Sequence, residues 1–149
     1  MIFSVYRFNE LDSETLYKLL QLRSEIFVVE QNCAYQDMDD KDLNALHVLG
    51  FLNNKLIAYA RILAPGLSYP EAAIGRVVVS KSVRGKNFGK LLMQKSMDTT
   101  LQKFKVNEIV ISAQKYLERF YSDLQFKPEG IEYLEDNIPH IQMRYKKIS

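Results

Sequence analysis

The sequence predicts a mixed α/β fold, a twisted sheet of about seven strands with helices on both faces. Three observations carry that expectation. Short segments rich in β-branched and aromatic residues recur along the chain, helical-period stretches separate some of them, and the order of the two is not a simple alternation. At 149 residues the chain fits one domain spanning 1–149, long enough to bury a substantial core.

The elements follow in order. IFSVYRF, residues 2–8, alternates apolar and polar side chains and reads as a strand. Asp12 can cap the helix after it, where Leu16, Leu19, Leu20, Ile26 and Phe27 recur at helical spacing to about Val29. Residues 30–44 are polar and aperiodic, a loop with room for one short helical turn. ALHVLGFL and KLIAYARIL flank Asn53-Asn54, a pair that tolerates positive φ in a tight hairpin. AAIGRVVVS is a further strand, followed by a helix from Phe88 to about Phe104. NEIVISA, the short helix YLERFYSDL, FKPEGIEYL and IPHIQMRYK complete the order β-α-loop-β-β-β-α-β-α-β-β.

Composition excludes several function classes. Apolar residues make up 47% and charged residues 26%, near globular averages, so neither disorder nor a fibrous repeat is indicated. A net charge of +2 argues against nucleic acid, which favours a clustered, far more basic face. Apolar runs such as Val77–Val79 are too short to span a membrane, and MIFSVYRFNE lacks a signal-peptide pattern, so a cytoplasmic protein is expected. The single cysteine, Cys33, agrees with a reducing compartment, as an inert small residue or a nucleophile. No CxxC or HExxH spacing points to a metal.

VRGKNFGKLLMQK, residues 83–95, sits between a strand and a long helix and carries more glycine and lysine than a turn needs. Free N–H groups at a helix start, backed by the helix dipole, make an anion-binding device. Gly85 and Gly89 admit close backbone approach, and Asn87 suits a left-handed conformation. Arg84, Lys86 and Lys90 add positive charge, so a pyrophosphate fits. The patterns GxxxxGK[ST] and GxGxxG are absent.

The stretch VVVSKSVRGKNFGKLLMQ resembles the acyl-CoA-binding motif of the GNAT acyltransferases, R/Q-x-x-G-x-G/A, with Asn87 where the middle glycine is usual. AQKYLERFYSDLQFKPEG is similar to that family's second motif, with Gln125 in place of glycine. LLQLRSEIFVVEQNCAYQDMDDKD and IPHIQM look like the ElaA branch. The resemblance implies a GNAT fold, acetyl-CoA as co-substrate without a metal, and transfer of an acetyl group to an amine on a small molecule or peptide. It leaves a homodimer open.

It also implies site residues. The pyrophosphate would lie on Arg84, Gly85, Lys86, Asn87, Phe88, Gly89 and Lys90, and the pantetheine arm along the backbone of Val77, Val78 and Val79, with Gly75 as the bulge residue of that strand. Tyr121, of the F-Y pair, would protonate the leaving thiolate or else pack near Phe120. Glu30, His47 and His140 are the base candidates, each with a structural alternative: solvated carboxylate, core histidine, strand-start histidine. Arg23 on the inward face of the first helix would anchor an acidic acceptor or bridge a carboxylate such as Asp39. RSEIF, DMDDKD, YARIL and IGRVV also look like the acyl-homoserine-lactone synthases, which would add Arg61 and Arg76 to acceptor capture, although Ala73 stands where those enzymes have glutamate. A non-catalytic acyl-CoA-binding module is the alternative from another class.

Overall fold

The computed structural model describes residues 1–148. One seven-stranded sheet runs in the order β1-β2-β3-β4-β5-β7-β6. Its strands are β1 (Ile2–Arg7), β2 (Leu46–Leu52), β3 (Lys55–Leu63), β4 (Ala72–Val79), β5 (Glu108–Gln114), β6 (Phe126–Glu135) and β7 (Ile138–Lys146). Only β4 and β5 pair in parallel, joined by a crossover through α2 (Phe88–Phe104). The other helices are α1 (Ser13–Ser24) and α3 (Glu118–Ser122).

The pleat sorts the side chains between two layers. Along β3, Ala58, Ala60 and Ile62 join Leu92, Met93 and Met97 of α2 and Ile109 and Ile111 of β5 in the larger core. Tyr59 faces the other way and packs with Leu49 and Val78 against Leu19, Leu22 and Ile26. Helices therefore cover both faces, but α1 covers mainly β2, β3 and β4. The same face of β5, β7 and β6 carries polar residues instead, among them Ser112, Gln114, His140 and Gln142.

Local signals act as elementary chemistry requires. The Asp12 carboxylate accepts from the Thr15 N–H at 2.7 Å and starts α1. Asn53 and Asn54 adopt φ of 51° and 64°, and Asp136 and Asn137 adopt 52° and 63°, so both hairpins turn on two left-handed residues.

Two details differ from the sequence expectation. Regular α1 stops at Ser24, and Glu25–Glu30 continue as a wider π-helical turn. There the Gln31 N–H donates to the Ile26 carbonyl at 3.2 Å and the Cys33 N–H to that of Val28 at 3.0 Å, each five residues back. The second correction concerns the bulge. Tyr59 pairs with Val78 but Arg61 with Gly75, so Arg76 and Val77 together oppose Ala60. Arg76, not Gly75, takes the positive φ, 50°. Its guanidinium is anchored by carboxylates described below, and that anchoring offsets the steric cost that glycine would avoid. The β4–β5 pairing covers Ala72↔Ile109 and Ala73↔Val110 only, so the two strands part where the bulge begins.

Because Asn54 sits at φ 64°, Asn54→Gly should leave the melting temperature unchanged or slightly raised, whereas Asn54→Val should cost about 1–2 kcal/mol. That is a drop of roughly 2–8 °C by calorimetry for a domain of this size.

Candidate active site

The parting of β4 from β5 opens a notch, and four sets of residues surround it. The first is the turn before α2. Gly85 has φ 81° and Asn87 φ 68°, which swings the chain into the helix with the N–H groups of its first turn directed outward. The Asn87 side chain caps none of them, and the first helical bond is donated by Leu91 to the Asn87 carbonyl at 3.3 Å. A Cβ at Gly85 would meet nothing within 4 Å, so a ligand can reach this backbone from solvent. At Gly89 a Cβ would touch the Phe120 ring at 3.5 Å, which ties the helix start to α3. Lys86 and Lys90 are exposed, and Phe88 is half-buried. These features fit a phosphate-bearing ligand. Of the strand leading to the turn, Val78 is buried and Val77 and Val79 are half-buried.

The expected roles of Arg84 and Glu30 need revision here. Arg84 folds back, donating from Nε to the Val79 carbonyl at 3.2 Å and from Nη1 to Glu30 Oε2 at 2.6 Å. This pair clamps the π-helical turn to the end of β4 and ties Glu30 Oε2 to a guanidinium rather than leaving the carboxylate free toward an acceptor. Beside it a groove of about 1120 Å³ runs between α1, Asn54–Leu56 and Ser80–Ser82. Lys18, Lys55 and Lys81 alternate there with Asp12, Glu14 and Glu25, so the groove presents no single sign of charge.

A buried charge network forms the second set. Arg23 of α1 donates from Nε to Asp37 Oδ2 at 2.7 Å and from Nη1 to Asp42 Oδ1 at 2.8 Å. Arg61 of β3 grips Asp39 through Nη1 at 2.7 Å and Nη2 at 2.9 Å, and reaches Asp42 at 3.0 Å. Arg76 lies 2.8 Å from Asp37 Oδ1 and 3.4 Å from Asp39 Oδ2, with its guanidinium over the Tyr35 ring. Arg23 and Arg61 are 0% and 4% exposed. They hold this chain's own carboxylates, so direct capture of an acceptor by either is corrected to shaping of the loop. Partial burial pushes the Asp39 carboxyl up, but Arg61 and then Arg76 outweigh it and hold it at about 2. Asp42 is likewise held below its ordinary value by Arg23 and Arg61 against the cost of burial.

His47 closes that network and is excluded as a base. It is fully buried, with Nδ1 2.6 Å from the Tyr59 hydroxyl and Nε2 2.9 Å from the Asp42 carbonyl. A carbonyl only accepts, so Nε2 carries the hydrogen and Nδ1 accepts from Tyr59. Burial lowers its pKa and keeps it neutral, with no nitrogen left for a substrate.

Tyr121 is the third component. It is 7% exposed, its ring meeting those of Phe120 and Phe126 edge-on, and among the described residues its hydroxyl bonds no protein group. Burial raises its pKa, so the phenol stays protonated at neutral pH and has a hydrogen to donate.

The fourth component was not foreseen apart from His140. His140 lies beside Tyr133, Glu135 and Ser112 on the open polar half of the α1 face. Only the hairpin register brings these four together, and no local pattern in the sequence marks it.

Comparison with known proteins agrees with this geometry. Residues 15–147 match the family described as Acetyltransferase (GNAT) domain. Protein ElaA of Escherichia coli (strain K12) is 44% identical over 137 residues, 91% of this chain and 90% of that protein. The crystal structure of Escherichia coli ElaA superposes with a TM-score of 0.89 at 41% identity, covering 98% of this chain and all of the other. An acyl-CoA N-acyltransferase from Pseudomonas aeruginosa superposes at 0.91 with 37% identity, over 97% of this chain and 98% of that one.

The charge network generates a stability prediction. Arg23→Met should cost about 3–5 kcal/mol in urea unfolding, because Asp37 and Asp42 would stay buried with one guanidinium each instead of two. Acid should act on the same groups. Carboxyls that titrate lower in the folded chain than in the unfolded one stabilise it above about pH 4 and lose that effect as pH falls toward 2. Asp42→Asn should therefore flatten the decline of stability over that range.

Proposed function

The chain belongs to the GNAT acetyltransferase family and is an acyl-CoA-dependent acyltransferase, and from that premise we propose that it moves an acetyl group from acetyl-CoA directly to an amine on a small molecule or peptide, in the cytoplasm. The observation that carries this reading is the juxtaposition of the phosphate-fitting turn 84–90 with the notch where β4 leaves β5.

The turn's outward N–H groups, with Lys86 and Lys90, would hold the pyrophosphate. Beyond Ala73 the edge of β4 facing β5 lacks a strand partner, so the backbone of Val77 to Val79 is available to an extended pantetheine arm, as to an added strand. Holding thioester and amine side by side supplies proximity, worth about 7–11 kcal/mol of the barrier. Tyr121 then donates its phenolic hydrogen to the sulfur as the C–S bond breaks. Direct transfer, rather than an acyl-enzyme, is supported by the environment of Cys33, whose thiol donates to the Asp136 carbonyl at 3.2 Å and, among the described residues, bonds no basic side chain that would activate it as a nucleophile.

Two variants test the reading. Tyr121→Phe keeps the rings packed, so stability and acetyl-CoA affinity should hold while kcat falls roughly 10²–10⁴-fold under single-turnover conditions. Gly89→Glu places a carboxylate at the phosphate-binding turn and should abolish acetyl-CoA binding by calorimetry without unfolding the chain. Unchanged binding would locate the cofactor elsewhere, and unchanged kcat would remove Tyr121 from the mechanism.

A further inference from the structure

We propose that Glu135, backed by His140 and Ser112, is the group that takes the proton from the incoming amine, an inference that rests on the amine-acetylation reading above. Glu30 is held in an ion pair with Arg84, His47 has both ring nitrogens occupied, and among the described residues β4 offers no carboxylate at the notch. The cluster at the end of the β6–β7 hairpin has one.

Register builds it. β7 pairs with β5 as Ser112↔Gln142 and Gln114↔His140, and with β6 as Tyr133↔His140 and Glu135↔Ile138. Ser112, His140, Tyr133 and Glu135 thus share the face that α1 leaves open. Ser112 stands two residues beyond Val110, the last β5 residue paired to β4, so it lines the wall of the notch. The Asp136–Asn137 turn fixes Glu135 at the strand's end, and loop contacts fix the turn: the Cys33 thiol donates to the Asp136 carbonyl at 3.2 Å, and Gln31 bonds Gln114 at 3.3 Å.

Within the cluster the chemistry is directional. His140 Nδ1 lies 2.6 Å from the Ile138 carbonyl, which only accepts, so the ring hydrogen is on Nδ1. Nε2 then turns its lone pair toward Glu135 Oε2, 3.4 Å away. A proton delivered to Oε2 is therefore shared between two acceptors, which favours its capture. Ser112 Oγ donates to Glu135 Oε1 at 3.3 Å and lies 2.5 Å from the Tyr133 hydroxyl, while Tyr133 stacks on the His140 ring. The Glu135 side chain is 49% exposed and that of His140 only 7%, so Glu135 meets the acceptor and His140 is a positioning residue behind it. Other charged or titratable groups nearby include Tyr69, facing Tyr133 and Glu135, Asp136 beside Tyr35, and Glu132, which pairs with Lys115.

The step balances as follows. The acceptor ammonium gives one proton to Glu135, and the freed lone pair forms the C–N bond at the thioester carbonyl. The C–S bond breaks, the sulfur takes the proton of Tyr121, and the nitrogen sheds its second proton to solvent, from which the phenol is restored. Amide, thiol and one proton result.

The test uses Glu135→Gln with acetyl-CoA and two small probes. Ethylamine resembles the lysine side chain, with a pKa of about 10.4, and must lose a proton before it attacks. Hydroxylamine is largely unprotonated at neutral pH and needs no base. The variant should lose roughly 10²–10⁴-fold in kcat/KM with ethylamine, recover as pH rises, and change by less than about threefold with hydroxylamine. His140→Phe should lower kcat with ethylamine about tenfold while KM holds and the hydroxylamine rate is kept. Equal losses with both probes, or none with either, at an unchanged melting temperature would overturn the assignment. Wild-type protein that consumes acetyl-CoA with neither probe would remove the amine-acetylation reading and the base with it, whereas wild-type turnover of hydroxylamine alone would remove only the base.

Discussion

Three arginines and three aspartates, four of the six side chains buried and Arg76 and Asp39 half-buried, fix the path of the loop over the sheet. The arginines come from α1, β3 and β4, and the aspartates all come from the single loop between the π-helical turn and β2. Formal charge cancels within the cluster, and each carboxylate touches at least two guanidiniums. Isolated, any of these ions would cost several kcal/mol to bury, so none tolerates the loss of its partners. The loop cannot slide along the sheet, because moving one aspartate breaks contacts with two elements at once. Hydrophobic residues of the same volume could fill the space with similar stability, but without fixed donor geometry they would not specify one loop position.

That fixed loop is what allows a strained strand to be useful. Arg76 holds a left-handed conformation without glycine's freedom, and its side chain is one of the three that the aspartates grip. The same residue therefore bends β4 and is paid for the bend by charge pairing. From that bend β4 leaves β5, and the notch between them lies next to the phosphate-fitting turn on one side and the His140 cluster on the other. The Arg84–Glu30 pair repeats the device on a smaller scale, clamping the π-helical turn to the end of β4.

Much of this was legible in the sequence, and the limits of legibility have physical causes. Periodicity and turn chemistry reported the order of strands and helices, because Asn53-Asn54, Asp12 and the alternation of IPHIQMRYK act over a few residues. The turn 84–90 was legible for the same reason: Gly85, Asn87 and Gly89 announce backbone shape locally. The bulge was assigned to Gly75, since local sterics favour glycine, whereas the real determinant is an ion pair with residues nearly forty positions away. Arg23 and Arg61 were recognised as inward-facing cations in need of partners, but which carboxylates would answer is a question of loop path. Ser112, Tyr133 and Glu135 carried no signal at all, since strand register across two hairpins assembles them.

The two histidines show why residue type alone could not rank the bases. His47 and His140 lie on the same face of the sheet, and both are nearly excluded from solvent. His47 is covered by α1 and the aspartate loop, so its two nitrogens are spent on a hydroxyl and a carbonyl, and desolvation lowers its pKa and favours the neutral ring. His140 lies beyond the reach of α1, where only one nitrogen is spent on a carbonyl and the other looks toward a half-exposed carboxylate. The difference is one of coverage. α1 is short enough to roof β2 to β4 and no further, and the chain that follows touches the other half of the sheet through Gln31 on Gln114 and the Cys33 thiol on the Asp136 carbonyl before the arginines draw it back over β3 and β4. The half-face left open at Glu135 and His140 is a polar, partly solvated wall beside the notch where β4 leaves β5, which a fully roofed sheet would lack.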